Sequence, residues 1–388
     1  MQPPDEVGEL IERVLPRALE LRRDLHQNPE PSYHEYETTR LIKEALVAFG
    51  LEPGDRTPRT GLWVDSKPNP VCAFRADIDA LPIEEPAGNI PESLNPGWMH
   101  ACGHDAHSAI AFGIAVVLSQ IEKSPGVRFL FQPAEEGFPG GAVEMVGDGL
   151  VDGLSSILAF HVDPATEAGK FGIRIGAITA SADKFTIALT GPGGHTARPH
   201  QTVNLVDAAA RIVVDLPAAL RSSIDARRAL TVVFGSIHGG TTENVIPTRL
   251  ELKGTARALD REVWDEMPAL MEKILSNLVA VSEAGYELTY QRAIPPVVND
   301  ARVVTRVADA ISSLYGDEAI VHTPTSMGGE DFANYLDVVP GALVRLGAAK
   351  GHGDLHSSSF QLDEAAVGHG IRGGVAALLN LGSGQVQS

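Results

Sequence analysis

The sequence predicts an α/β protein in which a mixed-sheet domain is interrupted by a smaller α+β insert. Three observations predict it. Strand-length apolar runs alternate with amphipathic helical runs over residues 1–180 and again over 294–388, the alternation that builds a sheet covered by helices. Residues 181–293 instead read strand–helix–strand–strand–helix–strand, the split βαβ order of ferredoxin-like domains. The chain of 388 residues is also longer than one typical domain.

In chain order, Leu10, Val14, Leu21 and Leu25 lie on one side of a helix over Val7–His26, with Pro16 either kinking it or marking its start. A second helix covers Glu35–Phe49, and Gly50 is its natural C-cap. Val71–Arg75 is an apolar strand that exits into Asp77 and Asp79. The small apolar residues Ser108–Leu118 form a buried helix, Val127–Phe131 and Ile157–Phe160 are strands, and Gly140–Val146 is a short helix. In the insert, Phe185–Leu189, Leu230–Ile237, Leu250–Ala258 and Tyr286–Tyr290 are strands, while Asn204–Leu220 and Val263–Ser282 are helices. Its outer strand is a candidate dimer surface, because an unpaired edge invites another chain. Helix Val303–Tyr315, strand Leu343–Leu346 and helix Asp363–Leu381 close the fold.

Composition excludes several classes. Lys plus Arg number 31 against 50 Asp plus Glu, a formal charge of −19, which disfavours nucleic acid and anionic membranes as partners. No apolar run reaches the roughly 18 residues of a membrane span. Cys72 sits in the apolar run Val71–Phe74 and Cys102 in a polar loop, so the two give no disulfide framework and fit a reducing cytoplasm. The acidic start MQPPDEVGEL lacks a signal-peptide layout, consistent with a cytoplasmic protein.

The chain is organised around Met99-His100-Ala101-Cys102-Gly103-His104-Asp105-Ala106-His107, where imidazoles, a thiol and a carboxylate open the buried helix. Thiolate and imidazole suit zinc and its first-row neighbours. Strand ends supply more ligand types: Glu135 and Glu136 follow Val127–Phe131, and His161 follows Ile157–Phe160. Asp77 reads equally as functional or as structural, pairing with Arg75 or capping a turn, and Asp79 reads as structural. Near the end, His352 and His356 are both candidates, and His356 is preferred because an anchored helix follows it. Cys102, His104, Glu136, His161 and His356 are too many for one tetrahedral zinc and suit two metals ~3.5–4 Å apart sharing a ligand. Glu135 is left to take a proton from water and pass it to a leaving amine. Two glycine-flanked clusters in the insert carry His195 and Asn244, which read as β-turns or as donors to a ligand or oxyanion.

The segments RADIDALP, HACGHDAH, QPAEEG, AFHVDP, GGHTARP, TENVIP, GGEDF and LHSSSF, in this order, resemble the motifs of the metallo-amidohydrolases of peptidase family M20. The likeness is greatest to the branch of N-acyl-amino-acid amidohydrolases, hippurate hydrolases and auxin-conjugate hydrolases. It implies a di-metal exopeptidase-like α/β catalytic domain with an inserted ferredoxin-like lid and dimerisation domain. It implies two divalent metal ions per subunit, zinc first and manganese, cobalt or nickel as alternatives, with Cys102 as the shared ligand and Glu135 as general base. Asp77 would orient a ligand or tune the site, and His195 and Asn244 would contact a small N-acyl amino acid substrate. A homodimer through the insert is implied. The alternatives are a dipeptidase or carboxypeptidase of the same fold, or a binding protein that has kept the fold without the reaction.

Overall fold

The computed structural model describes residues 4–351 and 353–383, so His352 lies outside the described residues. The chain divides into two compact units, one of Met1–Gly176, Val298–Pro324 and Asp331–Ser388, the other of Ala177–Val297 and Thr325–Glu330. Thr325–Glu330 joins the second unit because Ser326 exchanges backbone hydrogen bonds with Ile178 and Ala180 at 2.9 and 3.0 Å.

The first unit is built on an eight-stranded mixed sheet in the order Gly54–Asp55, Leu62–Asp65, Val127–Gln132, Cys72–Asp77, Ser156–Asp163, Gly341–Gly347, Phe171–Ile173, Ile320–His322. The four central strands run parallel and are almost wholly buried, as strands covered on both faces must be. Parallel register places Asp77 beside Gln132 and His161 beside Arg345, so polar residues gather at the carboxyl ends of neighbouring strands. Helix His104–Gln120 is buried from His104 through Leu118 and packs with the first and last helices, Pro4–Gln27 and Ala365–Ser383. The first helix continues through Pro16, which therefore does not mark its start. Gly50 follows the second helix at φ +79°, the left-handed conformation expected of its C-cap.

The second unit holds a four-stranded antiparallel sheet in the order Leu230–Gly239, Arg249–Ala258, Ala182–Thr190, Gly285–Ile294. With two helices this is the ferredoxin-like arrangement. Leu205, Ala208, Ala209, Ile212, Leu216 and Leu220 recur at helical spacing along one buried stripe, and Val263, Met267, Met271 and Leu275 do the same on the second helix. Each stripe belongs to the core that includes Phe185, Ile187, Leu189 and Leu252 of the sheet. Among the described residues no helix is long and apolar enough to cross a membrane.

Candidate metal centre

The loop before the buried helix turns sharply at Gly103, whose φ of +81° is left-handed. A Cβ there would lie 2.4 Å from Val162 Cγ2, so this position needs glycine for space as well as for conformation. The turn separates Cys102 and His104 while keeping both buried beside His161.

The ligand-type atoms fall into overlapping groups, each within 4.8 Å: Cys102 with His104 and His161, Cys102 with Glu136 and His356, and His104 with Glu135 and Glu136. Cys102 belongs to the first two groups, and its Sγ is 3.5 Å from His161 Nε2. The structure thus brings together six residues from a loop, two strand ends and a distant second loop. His195 and Asn244 belong to the second unit, where a two-stranded ribbon pairs Val245 with His195, and Thr196 N–H donates to Asn244 O at 3.2 Å. His195 is exposed, and its Nδ1 accepts from the Ala197 amide.

Hydrogen bonds decide which histidine nitrogens are available. His104 Nδ1 donates to Asp79, 2.9 Å from the carbonyl and 3.2 Å from Oδ1, leaving Nε2 as the bare nitrogen. His161 Nδ1 donates to the Val162 carbonyl at 2.8 Å, again leaving Nε2. His107 Nε2 accepts from the Val162 amide at 2.9 Å, so Nδ1 carries the proton and donates to Asp77 at 2.6 Å. Both His107 nitrogens are spent, and it is unsuited to ligation despite its place in the loop. His100 is buried, and neither ring nitrogen has a hydrogen-bond partner among the described residues.

A buried atom fits a metal cation. His104 Nε2 has no hydrogen-bond partner among the described residues, and Glu136 Oε1 forms an ion pair with His356 Nε2 at 3.0 Å. Burying the His104 nitrogen without a hydrogen-bond partner is costly, and a cation accepting its lone pair removes the cost. Titration points the same way. Burial holds His161 well below the usual imidazole range, hence neutral and able to ligate. Hydrogen bonds to Cys102 and then Glu136 push His356 up to about 10. His356 itself sits at φ +61°, a left-handed conformation uncommon for histidine, secured by its amide donating to the Ala101 carbonyl at 2.9 Å.

The structure departs from the sequence reading at Asp79, while Asp77 keeps both of its readings, bound to Arg75 and to His107. Arg75 pairs with Asp77, not Asp79, at 2.7 Å, and its other nitrogens reach Gln132 and Asp331, both at 2.8 Å. Burial opposes charge on Asp77, but His104, Arg75 and His107 outweigh it and hold the carboxyl well below its usual range. Asp79 engages the site directly: besides His104 it accepts from the Glu136 amide at 3.0 Å and the Ser32 hydroxyl at 2.7 Å. Behind the loop, Asp105 accepts from His26 at 2.8 Å and pairs with Arg22 at 2.8 Å, anchoring the helix start.

Many known proteins resemble this chain. The chain is 45% identical over 372 residues to a Rhodococcus jostii (strain RHA1) protein provisionally named glutamate–cysteine ligase 2-3, and covers only 46% of that protein's length. It is 34% identical over 352 residues to N-acetyl-L-cysteine deacetylase of Bacillus subtilis (strain 168), covering 84% of it. Among solved structures, the Bacillus subtilis YXEP protein, described as a dinuclear metal binding peptidase from M20 family, superimposes with a TM-score of 0.85 at 32% identity. That match covers 96% of this chain and 99% of the other. The sequence model of peptidase family M20/M25/M40 matches residues 73–380, from the strand carrying Asp77 to the last helix, and the chain belongs to that family.

Proposed function

We propose that this chain hydrolyses the amide bond of N-acyl amino acids or similar small amide conjugates, using two divalent cations and Glu135 as general base. The observation that carries the reading is the membership of Cys102 in two ligand groups at once, one with His104 and His161 and the other with Glu136 and His356. The sequence likeness to a deacetylase of N-acetyl-L-cysteine and the fold likeness to a dinuclear metal binding peptidase support it. When bound, such a pair of cations acidifies water and polarises a carbonyl. In this chain Cys102, His104, Glu136, His161 and His356 would hold them, zinc being the first candidate and manganese, cobalt or nickel the alternatives.

Glu135 lies within reach of His104 and Glu136 and is the carboxylate this reading leaves for proton transfer. It would take a proton from water and return it to the departing amine nitrogen. Asp77 and Asp79 keep the histidine side chains oriented. His195 and Asn244 would contact the substrate or its oxyanion, with the second unit as a lid. Strand Leu230–Gly239 is a sheet edge with Val233 and Ile237 exposed, and a homodimer through it is the expected assembly. A cytoplasmic location completes the reading.

A panel of acetyl-, benzoyl- and indoleacetyl-amino acids against dipeptides, run with each metal added back, tests the substrate class. Faster turnover of dipeptides would favour the carboxypeptidase or dipeptidase alternative, and no turnover of any amide a binding protein. Glu135→Gln should keep its metal and lose turnover by on the order of 10³-fold. Normal hydrolysis by that variant would refute the base assignment.

A further inference from the structure

We propose that Glu35 is a positioning residue for the Glu135–Glu136 turn, holding it through the backbone amide of Ala134. The inference rests on the role given above to Glu135.

The turn leaves strand Val127–Gln132 at Pro133, and the next residue, Ala134, has φ +53°. An alanine in the left-handed region is strained by about 1–2 kcal/mol and persists only where its surroundings impose it. What imposes it is a carboxylate 99 residues earlier in the chain: Ala134 N–H donates to Glu35 Oε1 at 2.7 Å. The same oxygen accepts from the Tyr33 amide at 3.0 Å, and Oε2 accepts from the Thr60 hydroxyl at 2.6 Å. Glu35 is fully buried, and three donors converge on it.

The neighbours of Glu35 grip the same turn from other points. Ser32 donates to Asp79, which in turn accepts from the Glu136 amide. Tyr33 Oη accepts from the Gly140 amide at 2.9 Å. A Cβ on Gly137 would meet Ser32 Cβ and Tyr33 Cε2 at 3.0 Å, so segment 32–35 lies against the turn with no spare room. Glu35 therefore sets the backbone immediately before Glu135, while Asp79 sets it at Glu136.

The acceptor oxygens matter here more than the charge. Burial, then the charge on Asp79, push Glu35 up to about 7, so a neutral group is already tolerated at this position. A glutamine has the same shape: its oxygen would accept from Ala134 and Tyr33, and its amide would donate to Thr60 Oγ1. A leucine fills the space and accepts nothing.

The test is steady-state kinetics on an N-acetyl-amino acid, with metal content and melting temperature measured on each variant. Glu35→Leu should lower kcat about 100-fold with KM within about twofold and metal retained, the loss expected of a misplaced catalytic group. Glu35→Gln should stay within about threefold of the wild type. If Glu35→Leu fails to fold, Thr60→Val, which loosens Glu35 from the other side, should lower kcat about 3- to 10-fold at constant KM. Wild-type kcat in Glu35→Leu, or in Thr60→Val where that variant is the one read, or a Glu35→Gln as slow as Glu35→Leu, overturns the proposal. Glu135→Gln in the same series separates the two readings. If it is inactive while Glu35→Leu is normal, only the positioning role falls; if it is fully active, the base assignment falls.

Discussion

Gly103→Ala is the substitution whose cost follows most directly from the geometry. The added Cβ would stand 2.4 Å from Val162 Cγ2, more than 1 Å inside the ~3.5–4.0 Å optimum for carbon–carbon contact. Overpacking of this kind costs about 1–3 kcal/mol. The φ of +81° adds about 1–2 kcal/mol for any residue with a Cβ. Together these give a destabilisation of about 2–5 kcal/mol, or a fall in melting temperature of about 4–10 °C at ~2 °C per kcal/mol for a chain this large. Relief of the clash would move Val162, whose carbonyl orients His161 and whose amide is bound to His107. Metal affinity should therefore fall about 10- to 100-fold as well. Thermal melts and competitive metal titration on Gly103→Ala, Val162→Ala and the double variant form the assay. The double variant removes the clash but keeps the backbone strain, so the two changes should be non-additive by about 1–3 kcal/mol. Additivity within about 0.5 kcal/mol, or an unchanged melting temperature in Gly103→Ala, would refute the steric argument.

Four further outcomes are expected. Asp79→Asn removes the charge facing His104 Nδ1 and should weaken metal binding about 10- to 100-fold with the fold intact by circular dichroism; unchanged affinity would remove Asp79 from the site. Arg22→Met leaves Asp105 buried with one partner fewer and should cost about 3–5 kcal/mol in urea unfolding. Burial opposes charge on Asp105, but Arg22 and His26 outweigh it and hold its pKa below the ordinary carboxylate range. Its stabilisation is therefore complete above about pH 4 and lost as pH falls toward the lower folded value, an acid-side slope that Asp105→Asn should flatten. Chelation should proceed in two phases, because His104 and His161 are buried whereas the His356 side chain is 52% exposed; a single phase would argue against two unequal ligand sets.

How far the sequence could be read depends on the range over which each residue acts. Long elements were legible, since periodicity accumulates over a helix such as Ala301–Tyr315, whereas the three-residue strands Phe171–Ile173 and Ile320–His322 are too short to show any and were not anticipated. Ligand-type residues were legible for a related reason: thiol, imidazole and paired carboxylates are rare types at the ends of apolar strands, and their chemistry shows without knowing their neighbours. Their positioning partners are common types using ordinary hydrogen bonds. Asp77 and Asp79 look alike along the chain, but the strand stops at Asp77, so the two-residue alternation that would align them no longer applies at Asp79. His107 sits one helical turn after His104 and carries the same ligand chemistry, yet Asp77 and the Val162 amide consume both its nitrogens. Glu35 reads as the start of a helix, and its partner at Ala134 lies 99 residues away, beyond any local pattern. The consequence bears on related chains: keeping the five ligand-type residues does not guarantee the geometry that makes them useful. A chain that kept them and lost Asp79 or Glu35 would carry the same motifs around a differently aimed Glu135.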